Sequence, residues 1–161
     1  MSRLFITPRH LHTIGGHASI SYPDECCGVL IGRCHSGATF VERVLSVGNA
    51  REDSRQNRYL ISPETVLAAH KEARALGLGL EVVGYYHSHP NHPARPSEVD
   101  REQAWPGVSY LIVSVEQRKV VDTRSWRLSD DREGFEEEVI DQAAIGSSPS
   151  DGMPGIHKEA V

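Results

Sequence analysis

Apolar residues at helical spacing, preceded in two places by a capping residue and a proline, predict two main helices. Thr-Pro at residues 7–8 and Ser-Pro at residues 62–63 both place a side-chain acceptor before a proline, which is typical of a helix start. Gly77 follows the second apolar pattern and is expected to end that helix. A short third helix is expected near Ser97, where Ser-Glu-Val-Asp offers a cap and an acidic first turn.

Short apolar runs bounded by glycine or polar residues predict the strands. Residues 26–47 indicate a β-hairpin, and "RYLIS" at 58–62 indicates a further short strand. "LEVVGYYH" at 80–87 is typical of a buried strand, and "SYLIVSV" at 109–115 with "KVVDTRSWRL" at 119–128 predicts a second hairpin. Helices that flank a mainly antiparallel mixed sheet make an α+β fold the prediction.

Length and composition favour a single domain. The 161 residues are 39% hydrophobic and 24% charged, which is ordinary for a globular protein large enough to bury a core. We expect this domain to occupy residues 1–140. Residues 141–161 are rich in Ala, Gly, Ser and Pro, and they are predicted to form a disordered tail.

Charge and the length of apolar runs exclude some partners and compartments. The net charge of −5 and the lack of a Lys/Arg block argue against a nucleic-acid partner. No run of about 18 apolar residues exists, so no membrane span is expected, and the apolar run at the N-terminus is too short for a signal peptide. Three cysteines, two of them adjacent, do not make a disulfide framework, which favours a reducing cytoplasm. These features leave the oligomeric state open.

A histidine-rich segment after the buried strand carries the candidate chemistry. His87 and His89 stand two residues apart on a predicted strand, so their side chains point to the same face and could share one metal ion. Asp100, at the start of the predicted third helix, could add a carboxylate oxygen. Two imidazoles and one carboxylate leave a fourth tetrahedral position for water, which is typical of a catalytic site with one zinc ion.

Two further side chains would complete a hydrolytic site. The Ser97 hydroxyl could donate a hydrogen bond to the oxyanion of a tetrahedral intermediate, or serve as a helix cap worth about 1 kcal/mol, or do both. Zinc-bound water has a pKa of about 7, and a base must still take its proton and pass it to the leaving amine. Glu25, just before the apolar run "CCGVLIG", is the leading candidate, although periodicity alone does not bring it near His87.

The segments "PDECCG" and "HSHPNHPARPSEVD" together resemble the JAMM (MPN+) metallopeptidase family. The resemblance rests on His-x-His, then Pro and six residues, then Ser-x-x-Asp, with an upstream Pro-x-Glu, and it covers roughly residues 4–128. It implies a cytidine-deaminase-like arrangement of three layers, in which helices flank the sheet. It also implies the site roles, with His87, His89 and Asp100 as ligands of one zinc ion, Glu25 as general base and then acid, and Ser97 as oxyanion support.

The short chain looks most like the small prokaryotic members of that family, which act on ubiquitin-like or sulfur-carrier proteins. This resemblance implies a substrate with a Gly-Gly tail, whose amide bond is cut to trim an extension or to release an attached amino acid. Removal of a modifier from lysine is the alternative within the family. The tail is expected to lie along a strand edge, with the polar loop at residues 48–58 as a wall or lid of the groove.

Other interpretations compete with this one. A non-catalytic scaffold of the same fold would lack part of the ligand set that is intact here. A cysteine hydrolase would use Cys26 or Cys27, although adjacent strand residues point to opposite faces and a buried apolar role is favoured. His92 could compete as a metal ligand but is expected to face solvent, and Cys34-His35 is expected to lie in the hairpin turn.

Overall fold

Ten helices and strands make up the part of the chain that the structure describes. A computed structural model describes residues 1–142. The predicted tail at residues 141–161 lies outside the described residues from residue 143 onward, and Asp141 is the last residue of a strand. In chain order the elements are β1 (Arg3–Phe5), α1 (Pro8–Ser21), β2 (Cys27–His35), β3 (Ala38–Val47), α2 (Pro63–Leu76), β4 (Glu81–Pro90), α3 (Glu98–Gln103), β5 (Ser109–Glu116), β6 (Lys119–Leu128) and β7 (Phe135–Asp141).

Capping residues set the starts of all three helices, as the sequence predicts. Thr7 caps α1, and Ser62 caps α2, in each case directly before the proline that opens the helix. Gly77 ends α2 in the left-handed region at φ +68°, which glycine adopts without steric cost. Ser97 caps the short helix α3. Within residues 1–142, no helix is long and apolar enough to cross a membrane.

The strands form one mixed sheet that closes on itself in the order β1-β3-β2-β4-β5-β6-β7. Four strand pairs are antiparallel and three are parallel, which confirms the expectation of a mixed, mainly antiparallel sheet. The three-layer arrangement that the resemblance implies has an open sheet between layers of helices, whereas this sheet is a closed barrel. It closes because β1 pairs with both β3 and β7 and so joins the two ends of the sheet. Neither β1 nor β7 is predicted from the sequence, since one has three residues and the other reads "FEEEVID".

The predicted strand at residues 58–62 is wrong. This segment carries no strand, and it follows a loop that folds back beside it. Leu60 donates its N–H to the Asn49 side chain at 3.1 Å and accepts the Ala50 N–H at 2.8 Å. The Leu60 N–H is therefore bonded to a side-chain amide and not to the backbone of a neighbouring strand, so no β-ladder forms along the segment.

The two main helices pack against opposite faces of β2. Ile14 and Ala18 of α1 lie in one buried cluster with Leu30, whereas Ala69 and Ala73 of α2 lie in another cluster. The members of this second cluster on the strands include Val29, Ile31 and Val82. Successive residues of a strand point to opposite faces, so β2 is buried on both sides. Its neighbour β4, which carries the histidine pair, is hydrogen-bonded to β2 and is also mostly buried.

Close contact between β4 and β5 gives the first testable prediction. A Cβ at Gly84 would lie 2.3 Å from the Ser109 carbonyl oxygen, a backbone atom that cannot move without separating the two strands. We expect Gly84→Ala to lower the free energy of unfolding by about 1–3 kcal/mol. Gly16→Ala in α1 is the matched control, because a Cβ there meets no atom within 4 Å. It should raise stability by about 0.5–1 kcal/mol. Thermal denaturation checks both, and a Gly84→Ala variant as stable as the parent would contradict this packing.

Candidate metal centre

The last residues of β4 carry the two predicted histidine ligands into the interior. His87 pairs in register with Cys27 of β2 and with Ile112 of β5, and His89 pairs with Ser114 of β5. Because these histidines are two residues apart on one strand, their rings leave the same face. His87 is fully buried, and His89 is 6% exposed.

The turn after β4 brings Asp100 back to the histidine pair. Asn91 adopts φ +59° and donates its N–H to the Val115 carbonyl at 2.8 Å, which reverses the chain at the end of β4. Helix α3 then starts beside the histidines, and Asp100 lies in its first turn. Ser97 and Asp100 form a capping box, in which the Ser97 N–H donates to Asp100 Oδ2 at 2.8 Å and the Asp100 N–H donates to Ser97 Oγ at 3.1 Å.

Electron-rich atoms of three residues converge at one point. The Nε2 atoms of His87 and His89 lie 3.1 Å apart. Asp100 Oδ1 lies 3.2 Å from His87 Nε2, and Asp100 Oδ2 lies 3.2 Å from His89 Nε2. Ligand atoms bound at about 2.0–2.1 Å to one tetrahedral zinc ion lie about 3.3 Å from one another. The observed separations are close to that value, and one ligand atom from each of the three residues lies within 4.8 Å of the others, so the residues fit a zinc site.

The hydrogen bond on the far side of the His89 ring also supports a metal-ligating role for this residue. His89 Nδ1 lies 2.8 Å from the Pro93 carbonyl oxygen, which can only accept. In the neutral ring the proton is therefore on Nδ1, and the Nε2 lone pair faces His87 and Asp100. A backbone carbonyl that orients a ligating imidazole in this way is common around metals. Lone pairs that face one another in a buried site need a proton or a cation between them, and zinc meets that need.

Burial and the neighbouring charges shift the pKa values of the cluster. Burial disfavours ionisation of Asp100, but the adjacent His87 and the hydrogen bonds from His87, His89 and Ser97 outweigh it, so the pKa of Asp100 falls well below its usual range. Burial lowers the pKa of His87 despite the nearby Asp100. Burial also opposes protonation of His89, but its bonds to Asp100 and to the Pro93 carbonyl raise its pKa. The site therefore keeps a carboxylate and one neutral imidazole, both of which are metal-ligating forms.

Glu25 comes from the turn before β2, and its carboxylate faces the cluster. Glu25 Oε1 lies 4.0 Å from His89 Nε2, and Oε2 makes no hydrogen bond within the described residues. The side chain is only 5% exposed. Burial raises the pKa of Glu25 to about 8, with a smaller rise from Asp100 and an opposing effect of His89. A buried carboxylate with a free oxygen beside a metal-binding cluster is poised to exchange a proton.

Ser88, between the two histidines, was not singled out from the sequence, yet it ties Glu25 to the cluster. Its side chain points away from the histidines, because residues alternate along β4. Ser88 Oγ accepts the Cys26 N–H at 2.8 Å, and the Ser88 N–H donates to the Cys26 carbonyl at 3.1 Å. The residue after Glu25 is thus bonded to the residue between His87 and His89. A small hydroxyl residue in a buried strand is the only sequence signal for this contact.

Two clefts open beside the cluster. One, of about 410 Å³, includes Glu25 and His89 in its walls together with Asn57, His92, Pro93, Arg95 and Ser97. The other, which we call the apolar groove, has a volume of about 520 Å³, and its lining residues include Leu60, Ile61, Val66, Tyr85, Trp105 and Tyr110. Tyr59 connects this groove to the cluster, because it lines the groove and its ring stacks on His87 with centroids 4.4 Å apart. His92 is exposed and is not part of the converging ligand set among residues 1–142.

The cysteines are poorly suited to nucleophilic chemistry. Cys26 and Cys27 are buried, and burial raises the pKa of Cys26 to about 11 and that of Cys27 to about 12. Neither thiol is ionised near neutral pH, which removes the support for a cysteine hydrolase. The expectation that Cys34-His35 lies in the hairpin turn is wrong. β2 continues through His35, and the left-handed residues Ser36 and Gly37 make the turn.

Metal analysis tests the ligand set. We expect His87→Ala and Asp100→Ala to lose bound zinc, because each removes one of three converging donors. His92→Ala is the matched control, since it removes a nearby histidine outside that set and should keep zinc. The amount of zinc per chain after dialysis, measured by elemental mass spectrometry, checks all three variants. Full zinc occupancy in Asp100→Ala, or loss of zinc in His92→Ala, would contradict the assignment.

Comparisons with known proteins agree with this geometry. The family described as prokaryotic homologs of the JAB domain matches residues 7–129. The fold is similar to the solution structure of a protein from Desulfitobacterium hafniense, with a TM-score of 0.72 and 36% identity over 87% of this chain and 91% of that one. It is also similar to the solution structure of a protein from Salinibacter ruber, with a TM-score of 0.64 and 38% identity over 98% and 97% of the two chains.

Characterised relatives match shorter parts of the sequence. A desampylase from Haloferax volcanii is 39% identical over 97 residues, which is 60% of this chain and 66% of that protein. Human Lys-63-specific deubiquitinase BRCC36 is 49% identical over 59 residues, which is 34% of this chain and 19% of that protein. The matched part of this chain thus spans about two thirds of the first relative and about a fifth of the second.

Proposed function

Because this chain belongs to the prokaryotic homologs of the JAB domain, we propose that it is a zinc-dependent peptidase or isopeptidase acting at the C-terminal tail of a ubiquitin-like protein. The single observation that carries the proposal is the buried carboxylate of Glu25, which faces the three converging donors. Its Oε1 lies 4.0 Å from His89 Nε2, and its Oε2 has no hydrogen-bond partner among the described residues. The names of the relatives support the substrate class, since one is a desampylase and another a Lys-63-specific deubiquitinase.

In the proposed mechanism, the chain holds a metal ion and moves a proton beside it. His87, His89 and Asp100 would hold zinc, and when bound zinc supplies a Lewis acid together with a nucleophile at neutral pH. Glu25 accepts the proton of the attacking water and delivers it to the departing amine. Burial raises the pKa of Glu25 to about 8, and a cation held at the cluster would lower it, toward a range where both of its forms are accessible.

Ser97 has a second role in this proposal beyond its cap. Its Oγ already accepts the Asp100 N–H, but the hydroxyl proton is still free to donate. Ser97 also lines the cleft that includes Glu25 and His89. We assign that proton to the developing oxyanion of the scissile carbonyl, while the cap keeps the hydroxyl in place.

Replacing the proposed base separates chemistry from metal binding. We expect Glu25→Gln to lower turnover at least about 100-fold, because the amide cannot accept the proton, while zinc content stays unchanged. The assay is mass spectrometry of a ubiquitin-like protein that ends in Gly-Gly and carries a short C-terminal extension. Zinc per chain and the melting temperature are measured on the same preparation as controls. Turnover within about tenfold of the parent would remove Glu25 from the mechanism.

The apolar groove is the place we propose for the Gly-Gly tail. Tyr59 and Ile61 line it, and their backbone N–H and carbonyl groups have no partner among the described residues. Leu60 between them turns its own backbone groups to Asn49 and Ala50. Free backbone groups on alternate residues offer an extended tail the hydrogen bonds of an added strand, and the stacked Tyr59 leads that tail to His87.

We further propose that the chain trims a C-terminal extension or releases an attached amino acid from a sulfur-carrier type of ubiquitin-like protein. Arg95 favours this over removal of a modifier from lysine. It lines the cleft with Glu25 and His89, and its guanidinium makes no hydrogen bond or ion pair within residues 1–142. A free carboxylate on the leaving residue is the group that such a guanidinium binds. An isopeptide-linked lysine inside a protein brings no such carboxylate.

A pair of substrates tests the leaving group. The first carries an extension that ends in a free carboxylate, and the second carries the same extension as an amide. We expect the parent to prefer the free acid by about tenfold or more in kcat/KM, as one charge-assisted bond allows, and Arg95→Gln to lose that preference. Arg95→Lys keeps the charge and should keep part of it. Equal cleavage of both substrates by the parent, with faster cleavage of a lysine-linked conjugate, would favour deconjugation instead.

The alternative from another functional class is a non-catalytic scaffold of the same fold. The complete donor set and the adjacent Glu25 count against it, because a scaffold has no use for a buried carboxylate oxygen that lacks a partner among the described residues.

A further inference from the structure

A single side chain closes the polar loop between β3 and α2. The Asn49 amide makes four hydrogen bonds, which use all of its donors and both of its acceptor positions. Its Oδ1 accepts the N–H groups of Arg51 and Leu60, each at 3.1 Å. Its Nδ2 donates to the carbonyls of Arg58 at 3.0 Å and of Glu25 at 3.2 Å. Three of these bonds are within the loop and its exit, and the fourth reaches the proposed base.

The loop also holds the other side of the Glu25 backbone. The Glu25 N–H donates to the Arg55 carbonyl at 2.6 Å. β2 begins at Cys27, so no strand ladder fixes Glu25 itself. Both of its backbone polar groups are instead bonded to residues of this loop, one to Asn49 and the other to Arg55. The polar loop, which is expected to be a wall or lid of the groove, therefore also supports the backbone of the proposed base.

We propose that Asn49 is a positioning residue, which holds the Glu25 carboxylate at its distance from the metal-binding cluster. The inference rests on the role proposed for Glu25 and goes beyond it. Ser88 fixes the chain on the far side of Glu25 through Cys26, so the residue is held from two directions. If the Asn49 bond is lost, the bonds between Cys26 and Ser88 remain, but the Glu25 backbone is no longer fixed by the loop and can shift. A displacement of about 1 Å costs about 100-fold in rate where a reacting group must be aligned.

Loss of the Asn49 bonds should have little effect on global stability, because the loop contributes little to the core. Residues 52–58 are exposed, and the loop belongs to none of the buried clusters of the described chain. Its release is therefore a local opening that leaves the barrel intact. The effect should appear in the order of Glu25 and in kcat, and not in the global unfolding temperature.

Asn49→Asp removes the donating half of the amide, and with it the bonds to the Glu25 and Arg58 carbonyls. The aspartate keeps an oxygen for the Arg51 and Leu60 N–H groups but replaces the donor with a second oxygen, which faces those two carbonyls. We expect kcat to fall about 10- to 100-fold, with KM and zinc content within about twofold of the parent. Arg51→Ala is the matched control. It removes the Arg51–Asp53 ion pair in the same loop, leaves every Asn49 bond in place and should keep kcat within about twofold.

Amide hydrogen exchange tests the inference without any turnover. In Asn49→Asp the Glu25 amide should lose at least about tenfold of its protection, whereas the Cys26 amide, bonded to Ser88, should keep its own. Unchanged exchange at Glu25, or a rise in KM with unchanged kcat, would overturn the inference. A parent chain that cleaves no substrate, with faster exchange at Glu25 in the variant, would refute the proposed enzyme and leave the positioning contact standing. Should Asn49→Asp fail to fold, Asn49→Ser removes the same donor without added charge.

Discussion

The pairing of β2 with β4 is the constraint on which the site depends. It places Cys27 opposite His87 and allows Cys26 to bond Ser88, so the turn that carries Glu25 reaches the face from which both histidine rings project. A slip of one residue in this register would turn the histidines to the opposite face. The buried residues on both sides of β2 make such a slip costly, since each large side chain gains about 1.5–3 kcal/mol from burial. Core packing thus sets the geometry of the polar site.

The same packing creates an electrostatic problem that the proposed function resolves. Two imidazoles and two carboxylates lie together with little of their side chains exposed, and one carboxylate oxygen has no hydrogen-bond partner in the described chain. Buried polar groups are normally satisfied, and an unsatisfied group at a cleft is typical of a site that awaits a ligand. A divalent cation at the three converging donors would compensate the charge of Asp100 and lower the cost of ionising Glu25.

Local signals in the sequence predicted the parts of the fold that depend on local chemistry. The capping residues Thr7 and Ser62 marked both main helices, and the two-residue spacing of His87 and His89 placed them on one face. Contacts between distant segments were out of reach, because no pattern along one strand reports its neighbour. The closure of the sheet by β1, the failure of residues 58–62 to form a strand and the approach of Glu25 to His89 all depend on such contacts. Asn49 reads in the sequence as one polar residue among many, although its amide organises the whole loop.

X-ray absorption spectroscopy at the zinc edge of the metal-loaded chain identifies the ligand atoms of the metal without a substrate. We expect a zinc ion surrounded by two imidazole nitrogens and by oxygen atoms, all at about 2.0–2.2 Å. A sulfur atom at about 2.3 Å, or a third imidazole in place of oxygen, would mean that the converging donors of His87, His89 and Asp100 are not the metal site.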